Sequence, residues 1–320
     1  MEQKSVLIGM SGGVDSSVAA ALLKEQGYHV IGATMRLWTY SDSCNMKHEG
    51  CCAESAVEDA RRVCDKLGID FYVMNFKDMF KDKVVDYFVD EYIHGRTPNP
   101  CIACNKYLKF DALLKKALAM GIDYVATGHY AKIEKGEDGK YILRASEAVK
   151  KDQSYVLYNF TQEQLAHTLM PLGGYNKDWV RQKAEELGLG VAHKPDSQEI
   201  CFVEDDDYAK FITDYSGYKP KEGDILDVNG NVIGKHRGLI YYTIGQRKGI
   251  GAYGRPMFVM KIDAENNTIT LGEKGMEFSN ELTAYDVNFV SGEFPKENML
   301  ITAKVRYQAY LCGDKHIFFR

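Results

Sequence analysis

The stretch SVLIGMSGGVDSSVAAALLKEQG, residues 5–27, constrains the fold of this chain more than any other part of its sequence. An apolar run predicts a buried strand, a turn rich in glycine and serine follows, and the next residues have the apolar spacing of a helix. Glycines permit close approach of the backbone, and the amides at a helix start favour an anion. The order predicts a phosphate-binding strand–helix junction, and the simpler alternative is an ordinary tight turn with an Asp/Ser cap.

Short apolar runs alternate with helical patterns over roughly the first 200 residues, which is typical of an α/β fold with a parallel sheet and helices on both faces. Further strands are predicted in YHVIGATM, DFYVMNF and IDYVATGHY, and a β-hairpin in YAKIEKGEDGKYILRAS. Helices are predicted in ESAVEDARRVCDKLG, KDMFKDKVVDYFVDEYIHG and NKYLKFDALLKKALAMG, and near residues 152–169, 176–188 and 205–216.

From about Lys219 the sequence becomes rich in glycine, β-branched and aromatic residues, which predicts small β-rich domains after the α/β domain. We predict three domains, the α/β domain, a central β-rich domain and a C-terminal β-rich domain, at residues 1–217, 218–278 and 279–320.

Composition and charge narrow the class of protein. A hydrophobic content of 45% and a charged content of 27% are those of an ordinary globular chain. The sequence has no apolar run long enough to span a bilayer and no signal-peptide pattern, so we expect a cytoplasmic protein. The net charge of −5 argues weakly against a nucleic-acid partner.

Two acid-free stretches nevertheless predict local basic surfaces, with a chance solvated face as the alternative for each. One runs from Tyr92 to Phe110. The other runs from Val228 to Ile262 and contains Lys235, His236, Arg237, Arg247, Lys248, Arg255 and Lys261.

The eight cysteines are expected to be ligands, nucleophiles or core residues rather than structural disulfides. Cys64 lies within a helical pattern and is predicted to be a buried apolar residue. Cys101 and Cys104 follow the turn TPNP. Their spacing alone is compatible with a zinc site, a redox pair, an iron–sulfur ligand set or a catalytic nucleophile.

The first glycine-rich turn lacks the lysine of Gly-x-x-x-x-Gly-Lys-[Ser/Thr], which disfavours a kinase-like or switch-type NTPase. Its order Ser-Gly-Gly-Val-Asp-Ser-Ser resembles the PP-loop of ATP pyrophosphatases, which have an adenine nucleotide alpha hydrolase-like domain. Those enzymes cleave ATP to AMP and pyrophosphate while adenylating a substrate oxygen. The resemblance implies ATP and Mg²⁺ as cofactors, with Asp15 helping to hold the metal. The implied ATP-binding residues are Gly9, Met10, Ser11, Gly12, Gly13, Val14, Asp15, Ser16 and Ser17.

Six further motifs in order resemble the tRNA-specific 2-thiouridylase family over essentially the whole chain. They are GRTPNPCIACNKYLKF, ATGHYAKI, KDQSYVLY, DSQEICFV, TIGQRKGIG and KVRY. The resemblance implies a tRNA-uridine 2-sulfurtransferase that adenylates the C2 oxygen of the wobble uridine and replaces it with sulfur. Adenylation makes that oxygen part of a good leaving group, and a cysteine thiolate or persulfide supplies the soft nucleophile. The implied partners are the tRNA anticodon stem–loop and a sulfur-relay protein or cysteine desulfurase. The resemblance also implies that residues 1–217 form the ATP-binding catalytic domain, that residues 218–278 form a tRNA-binding domain, and that residues 279–320 form an incomplete C-terminal β-barrel.

Carried over residue by residue, the resemblance implies that Cys104 is the first catalytic cysteine and that Cys201 carries the persulfide. Met35 and Gly128 match further ATP contacts. The implied tRNA contacts are Asn99, Pro100, Cys101, His129, Lys151, Asp152, Gln153, Arg306 and Tyr307.

Cys101 departs from the family pattern, because the best-known members have an aspartate there that is assigned acid–base or substrate-orienting work. Cys101 is therefore a further catalytic candidate. Together with Cys104 and Cys201 it would form a three-thiolate set able to hold an iron–sulfur cluster with one open iron. A persulfide route needs only Cys104 and Cys201 and ends in a disulfide. Zinc, completed by Cys51 or Cys52, is the third alternative.

Two rival functions remain open at this stage. One is another PP-loop tRNA thiolase or an amidotransferase-type synthetase. The other is a non-catalytic, zinc-stabilised tRNA-binding protein, which predicts bound zinc and no ATP–pyrophosphate exchange. The chain also stops at Arg320, where family members usually continue the last barrel. We expect this ending to weaken tRNA binding more than adenylation.

Overall fold

The computed structural model describes residues 3–38, 54–196, 200–203, 206–276, 281–304, 306 and 312–317, the last range for its backbone only. Several predicted features lie outside these residues. They are Cys44, Cys51 and Cys52 with the segment around them, and the predicted tRNA contact Tyr307.

A five-stranded parallel sheet forms the centre of the first part of the chain, with strand order β3-β2-β1-β4-β7. The strands are β1 (Ser5–Gly9), β2 (His29–Arg36), β3 (Asp70–Asn75), β4 (Tyr124–Ala126) and β7 (Thr168–Leu169). The four strands predicted from apolar runs are all present. The fifth, β7, lies at the end of the helix predicted near residues 152–169, where the structure has a 3₁₀ turn at Ser154–Leu157, a short helix at Gln162–Ala166 and then this strand. The helix prediction is therefore correct only for the middle of that segment. A strand of two residues is too short to show a period in the sequence.

Helices pack on both faces of this sheet, as its strand pattern requires. Along β1, Leu7 belongs to one core cluster while Val6 and Ile8 belong to the other, because successive side chains of a strand point to opposite faces. The first cluster also contains side chains of the helices at Tyr87–Ile93 and Leu113–Ala119. The second contains side chains of the helices at Val14–Glu25, Glu54–Leu67 and Lys177–Glu186. The predicted α/β fold class is therefore confirmed. The helices are α1 (Val14–Glu25), α2 (Glu54–Leu67), α3 (Lys77–Phe80), α4 (Tyr87–Ile93), α5 (Pro100–Cys104), α6 (Leu113–Ala119), α7 (Gln162–Ala166), α8 (Lys177–Glu186) and α9 (Tyr208–Ser216).

Two of the predicted long helices contain π-helical segments. Residues Lys81–Asp86 join α3 to α4, and residues Asn105–Ala112 join α5 to α6. The second helix begins at Pro100, five residues before the predicted start at Asn105. Asn99 caps it by accepting a hydrogen bond from the amide of Cys101 (3.0 Å), and proline at the first position favours the helix start. Both cysteines of this motif are therefore helical.

The predicted hairpin is present as β5 (Ala131–Lys135) and β6 (Tyr141–Ala145), with Gly139 at positive φ in its turn. A four-stranded sheet with its own small core follows, in the order β10-β11-β8-β9. Its strands are β8 (Gly223–Leu226), β9 (Val232–His236), β10 (Met257–Asp263) and β11 (Thr268–Glu273). The strands β12 (Met299–Ala303) and β13 (Cys312–Ile317) pair with each other further on. The expected β-rich region after the α/β domain is thus confirmed.

In the part of the chain that the structure describes, no helix combines the length and the apolar character needed to cross a bilayer.

Candidate active site

The glycine-rich turn connects β1 to α1 at the carboxyl end of the central strand. Gly12 has a φ of +70°, and a Cβ there would lie 2.3 Å from the carbonyl oxygen of Ala56, so the turn needs glycine at this position. The Ser17 hydroxyl donates to the carbonyl of Gly13 (2.8 Å) and so fixes the turn to the helix. Gly13 is the N-cap and has no side chain to offer, which leaves the first amides of α1 to water or to an anion.

Two neighbouring strands end beside this turn. Gly128, just after β4, lies so close to α1 that a Cβ there would be 2.6 Å from the amide nitrogen of Ser16. Met35 lies near the end of β2, and the adjacent Thr34 hydroxyl donates to the carbonyl of Met10 (2.8 Å). The predicted ATP contacts in the turn, Met35 and Gly128 therefore occupy one carboxyl edge of the sheet, where ligands of open α/β sheets bind.

Asp15, at the second position of α1, has partners from two other segments. The Tyr130 phenol donates to one carboxylate oxygen (2.7 Å), and the ammonium group of Lys177 lies 2.8 Å from both oxygens. Burial and the neighbouring negative charge of Asp15 raise the pKa of Tyr130, so the phenol stays a donor at neutral pH.

The same lysine also contacts Asp196, which continues the chain of ion pairs. The Lys177 ammonium is 2.7 Å from Asp196, Lys151 is 2.7 Å from the second oxygen, and Arg181 is 3.2 Å away. Burial raises the pKa of Asp196, but hydrogen bonds from Lys151 and Lys177 outweigh that effect and hold the pKa below its ordinary value. We call Asp15, Lys177, Asp196, Lys151 and Arg181 the ion-pair network. It connects the glycine-rich turn to a predicted tRNA-contacting segment and to the residues that lead to Cys201.

The two cysteines of α5 differ in exposure. Cys101 is exposed in the first turn of the helix, whereas Cys104 is 8% exposed and packs in the larger core cluster. Pro100 is buried, and Asn99 uses its side chain as the helix cap.

Cys201 is exposed, and the residue that follows it is anchored in the core. Phe202 is fully buried and packs edge-to-face against Phe80 and Phe88, at ring-centroid distances of 5.6 and 5.2 Å. Trp38 and Phe211 complete the aromatic cluster around it. A thiol beside such an anchor has its main-chain position fixed while its own side chain stays accessible.

Metal binding by cysteines was one predicted alternative. Within the described ranges, which include Cys101, Cys104 and Cys201, no three His, Cys, Asp or Glu side chains are grouped so that they could hold a metal ion. The three thiols are therefore not assembled as an iron–sulfur ligand set in this structure. The fourth cysteine with a described environment, Cys64, is fully buried as predicted, and burial raises its pKa to about 12.

His129, a predicted tRNA contact, directly follows Gly128. Its Nδ1 lies 2.7 Å from the Thr127 hydroxyl, and its ring is 5.8 Å from that of Phe110. Burial and the positive charge of Lys109 hold the pKa of His129 well below 6.5, so the ring is neutral at pH 7. A neutral imidazole offers a polar contact or a stacking surface rather than a cation.

The predicted tRNA contacts Asp152 and Gln153 both hold the local backbone. Gln153 accepts a hydrogen bond from the amide of Tyr130 (2.9 Å) through its side chain. Asp152 accepts from the amide of Ser146 (2.8 Å) and from the hydroxyl of Ser154 (2.6 Å). These bonds fix the backbone next to Lys151, whose ammonium group belongs to the ion-pair network.

The second predicted basic surface is smaller than the sequence suggested. His236 does not belong to it, because its side chain is 1% exposed and its ring bonds to the backbone of Gly238 and Asn267. Three of the cations pair with carboxylates of β8, β10 and β11: Lys235, Arg255 and Lys261. Arg306 is exposed and donates to the carbonyl of Ile244 (2.9 Å), which places this predicted tRNA contact beside the TIGQRKGIG motif.

Sequence reasoning missed Lys177, Asp196 and Tyr130. Each acts through a partner far along the chain, and Lys177 is 162 residues from Asp15. Neither periodicity nor spacing indicates such a pair. The local signals were Asn176 as the N-cap of α8, the position of Tyr130 in ATGHYAKI and the position of Asp196 at the start of DSQEICFV.

Two domain-family profiles match most of the chain. A family profile for the tRNA methyl transferase HUP domain matches residues 4–205, and one for the tRNA methyl transferase PRC-barrel domain matches residues 209–273. Among solved structures, a 4-thiouridine synthetase–RNA complex with bound ATP aligns with a TM-score of 0.41 at 18% identity, over 62% of this chain and 45% of that chain.

Curated relatives match over nearly the whole chain. The tRNA-specific 2-thiouridylase MnmA of Acetivibrio thermocellus is 59% identical over 312 residues, which cover 97% of this chain and 87% of the relative. That of Clostridioides difficile is 59% identical over 308 residues, covering 96% and 85%, and that of Clostridium beijerinckii is 56% identical over 308 residues, covering 96% and 86%. Identity at this level and coverage shows that the chain belongs to the tRNA-specific 2-thiouridylase family.

Proposed function

We propose that this chain catalyses the ATP-dependent 2-thiolation of the wobble uridine of tRNA, by adenylation of the C2 oxygen and sulfur transfer from a cysteine persulfide. The ion-pair network carries the proposal. It joins the phosphate-binding turn, the segment of Lys151 and the segment that leads to Cys201. Family membership supports the substrate, because the relatives are named as tRNA-specific 2-thiouridylases.

In the first step the glycine-rich turn and the first amides of α1 hold the phosphates of ATP. The uracil C2 oxygen attacks the α-phosphorus, the bond to the β-phosphate oxygen breaks, and pyrophosphate leaves. Mg²⁺ takes one or two carboxylates together with substrate phosphates, so a single carboxylate at Asp15 fits it. When bound, the ion would neutralise phosphate charge. Asp15 would then contact the ion and give up part of its contact with Lys177.

In the second step Cys201 carries a persulfide, which a cysteine desulfurase or sulfur-relay protein supplies. The terminal sulfur attacks C2, and the bond from C2 to the adenylated oxygen breaks with loss of AMP. The thiolate of Cys104 then attacks the Cys201 sulfur, breaks the sulfur–sulfur bond and leaves the thiocarbonyl on the base. The product protein disulfide is cleared by a two-electron thiol reductant.

The tRNA docks across the first domain, residues 1–217, and the β-rich domain, residues 218–278, with the wobble base flipped toward Cys104. Asn105, next to Cys104, donates a hydrogen bond to the carbonyl of Val156 (3.1 Å). This bond ties the cysteine helix to the turn that follows Lys151. Phosphate contacts dominate such binding, so tRNA affinity should fall as salt rises.

We assign no step to an iron–sulfur cluster, because the described cysteines Cys101, Cys104 and Cys201 are not grouped as metal ligands. The zinc alternative involves Cys51 or Cys52, which lie outside the described residues, and it enters no step. Cys101 then takes no part in the sulfur-transfer steps. It is an exposed residue in the first turn of α5. Anaerobic purification followed by iron and zinc analysis tests this assignment. Stoichiometric iron that is lost together with thiolation in Cys101→Ala would overturn it in favour of the cluster route.

The central test is thiolation of an unmodified tRNA with ATP and a persulfide donor, followed by mass spectrometry of the nucleosides. Cys104→Ala and Cys201→Ala should abolish 2-thiouridine formation and largely preserve tRNA binding. Cys64→Ala is the matched control, because Cys64 is buried in the second core cluster, on the other face of the sheet from Cys104. Thiolation at the normal rate by either of the first two variants would show that the catalytic assignment is wrong. Bound zinc without ATP–pyrophosphate exchange in the wild type would instead favour a non-catalytic tRNA-binding protein.

A further inference from the structure

The glycine-rich turn has no lysine of its own, yet a lysine from another helix reaches it. Lys177 is the first residue of α8, and Asn176 caps that helix by accepting from the amide of Trp179 (2.9 Å). The ammonium group lies 2.8 Å from both oxygens of Asp15 and 2.7 Å from Asp196. Its side chain is 12% exposed, so the charge is held at the turn and does not extend into solvent.

We propose that Lys177 is a phosphate-binding residue that contacts the pyrophosphate part of ATP. The inference rests on the proposed use of ATP and deepens it, because it names the cation that the turn itself lacks. An ammonium group in this position supplies the point charge that a nucleotide phosphate needs.

The charge balance of the ion-pair network supports this role. Two carboxylates, on Asp15 and Asp196, face three cations, on Lys151, Lys177 and Arg181, so the network carries one positive charge in excess. An anion that enters the turn meets this excess directly beside the first amides of α1. Once a phosphate binds, Asp196 still has Lys151 and Arg181 as partners, and Asp15 still accepts the hydrogen bond from Tyr130. Lys177 can therefore move toward the phosphate while both carboxylates keep a polar partner.

Lys194 is the other lysine at this turn, and its surroundings differ. Its ammonium group is 2.8 Å from Asp59 and donates to the carbonyl of Gly12 (3.2 Å). One carboxylate balances it, and its second bond is to the turn itself. We therefore infer that Lys194 holds the shape of the turn, whereas Lys177 faces the ligand.

The test compares the binding of inorganic pyrophosphate, ATP and AMP to the wild type and to Lys177→Met by isothermal titration calorimetry. Loss of one charge-assisted contact should weaken pyrophosphate and ATP by about 10- to 100-fold. AMP lacks the β- and γ-phosphates and should bind within about twofold of the wild type. Lys177→Arg keeps the charge and should recover most of the pyrophosphate affinity.

Lys183→Met is the matched control. Lys183 lies on the same helix and also pairs with a carboxylate of α1, Glu25 (2.9 Å), at the opposite end of that helix. The Lys183→Met variant should bind pyrophosphate, ATP and AMP as tightly as the wild type does. Equal losses for pyrophosphate and AMP in Lys177→Met would mean that the lysine only holds Asp15, which overturns the proposal. Unchanged pyrophosphate binding in Lys177→Met would overturn the role of Lys177 and leave the proposed function standing. A wild type that binds neither ATP nor pyrophosphate would overturn both.

Discussion

A methyl group at position 128 should damage ATP binding far more than its size suggests. In Gly128→Ala the new Cβ would lie 2.6 Å from the amide nitrogen of Ser16 and 2.8 Å from the carbonyl carbon of Asp15. Both atoms belong to the backbone of the first turn of α1, which cannot rotate away as a side chain can. Ordinary contact begins near 3.4 Å, so the turn and β4 must separate by about 0.8 Å.

The magnitude follows from that displacement. Overpacking of this kind costs about 1–3 kcal/mol of stability, and a shift of about 1 Å in a positioned group costs roughly 100-fold in rate. We therefore expect ATP to bind about 10- to 100-fold more weakly to Gly128→Ala. We expect its thiolation rate at saturating ATP to fall by a similar factor.

Gly174→Ala is the control, because a Cβ at Gly174 would have no atom within 4 Å. Both variants lose the same glycine flexibility in the unfolded chain, so the difference between them isolates the clash. Calorimetric titration with ATP and urea unfolding should be run on both proteins. If Gly128→Ala matched Gly174→Ala in ATP affinity and in free energy of unfolding, the close approach of β4 to α1 would have no role in the site.

Three further predictions concern single side chains around the site. Phe202→Ala should lower the free energy of unfolding by about 3–5 kcal/mol in urea titrations, because it empties a fully buried position beside Cys201; a loss below about 1 kcal/mol would contradict the anchoring role. Tyr130→Phe removes the hydrogen bond to Asp15 (2.7 Å) and should cost about 1–3 kcal/mol in the same assay, whereas an unchanged value would show that the bond contributes nothing net. The native pKa of His129 lies well below 6.5, so the unfolded chain binds its proton first, and stability should fall as the pH drops below 6.5. His129→Gln should reduce that acid-side loss when urea unfolding at about pH 5 and about pH 7.5 is compared, and an equal loss in both proteins would rule out His129 as its source.

Local patterns carried the prediction of the fold. The glycine-rich turn, the four longer strands and the hairpin at Gly139 are each defined by neighbouring residues, so the sequence shows them directly. The strand β7 was not predicted, because two residues are too few to show a hydrophobic period. Its pairing with Val125 of β4 is a tertiary contact that the local sequence does not show. The start of α5 was misplaced because the doubled proline looked like a turn, while Asn99 caps a helix there.

The site was predictable only in part. Motif order identified the family and the cysteines, but it gave no information about which cations meet which carboxylates. His236 looked like a surface base in an acid-free stretch, yet its ring satisfies buried backbone groups of Gly238 and Asn267. The contacts of Lys177 depend on how α8 packs against α1, which is set by the apolar faces of the two helices in the second core cluster.

The packing of α8 on α1 has a dynamic consequence. The two helices are joined near both ends, by Lys177 to Asp15 and by Lys183 to Glu25, with Val180 buried between them. Helices fastened in this way should open to solvent together, so their backbone amides should exchange with deuterium at a common rate. Any adjustment that ATP imposes at Asp15 is then transmitted by a rigid pair. We expect the described residues that follow α8, up to Asp196, to take up that motion.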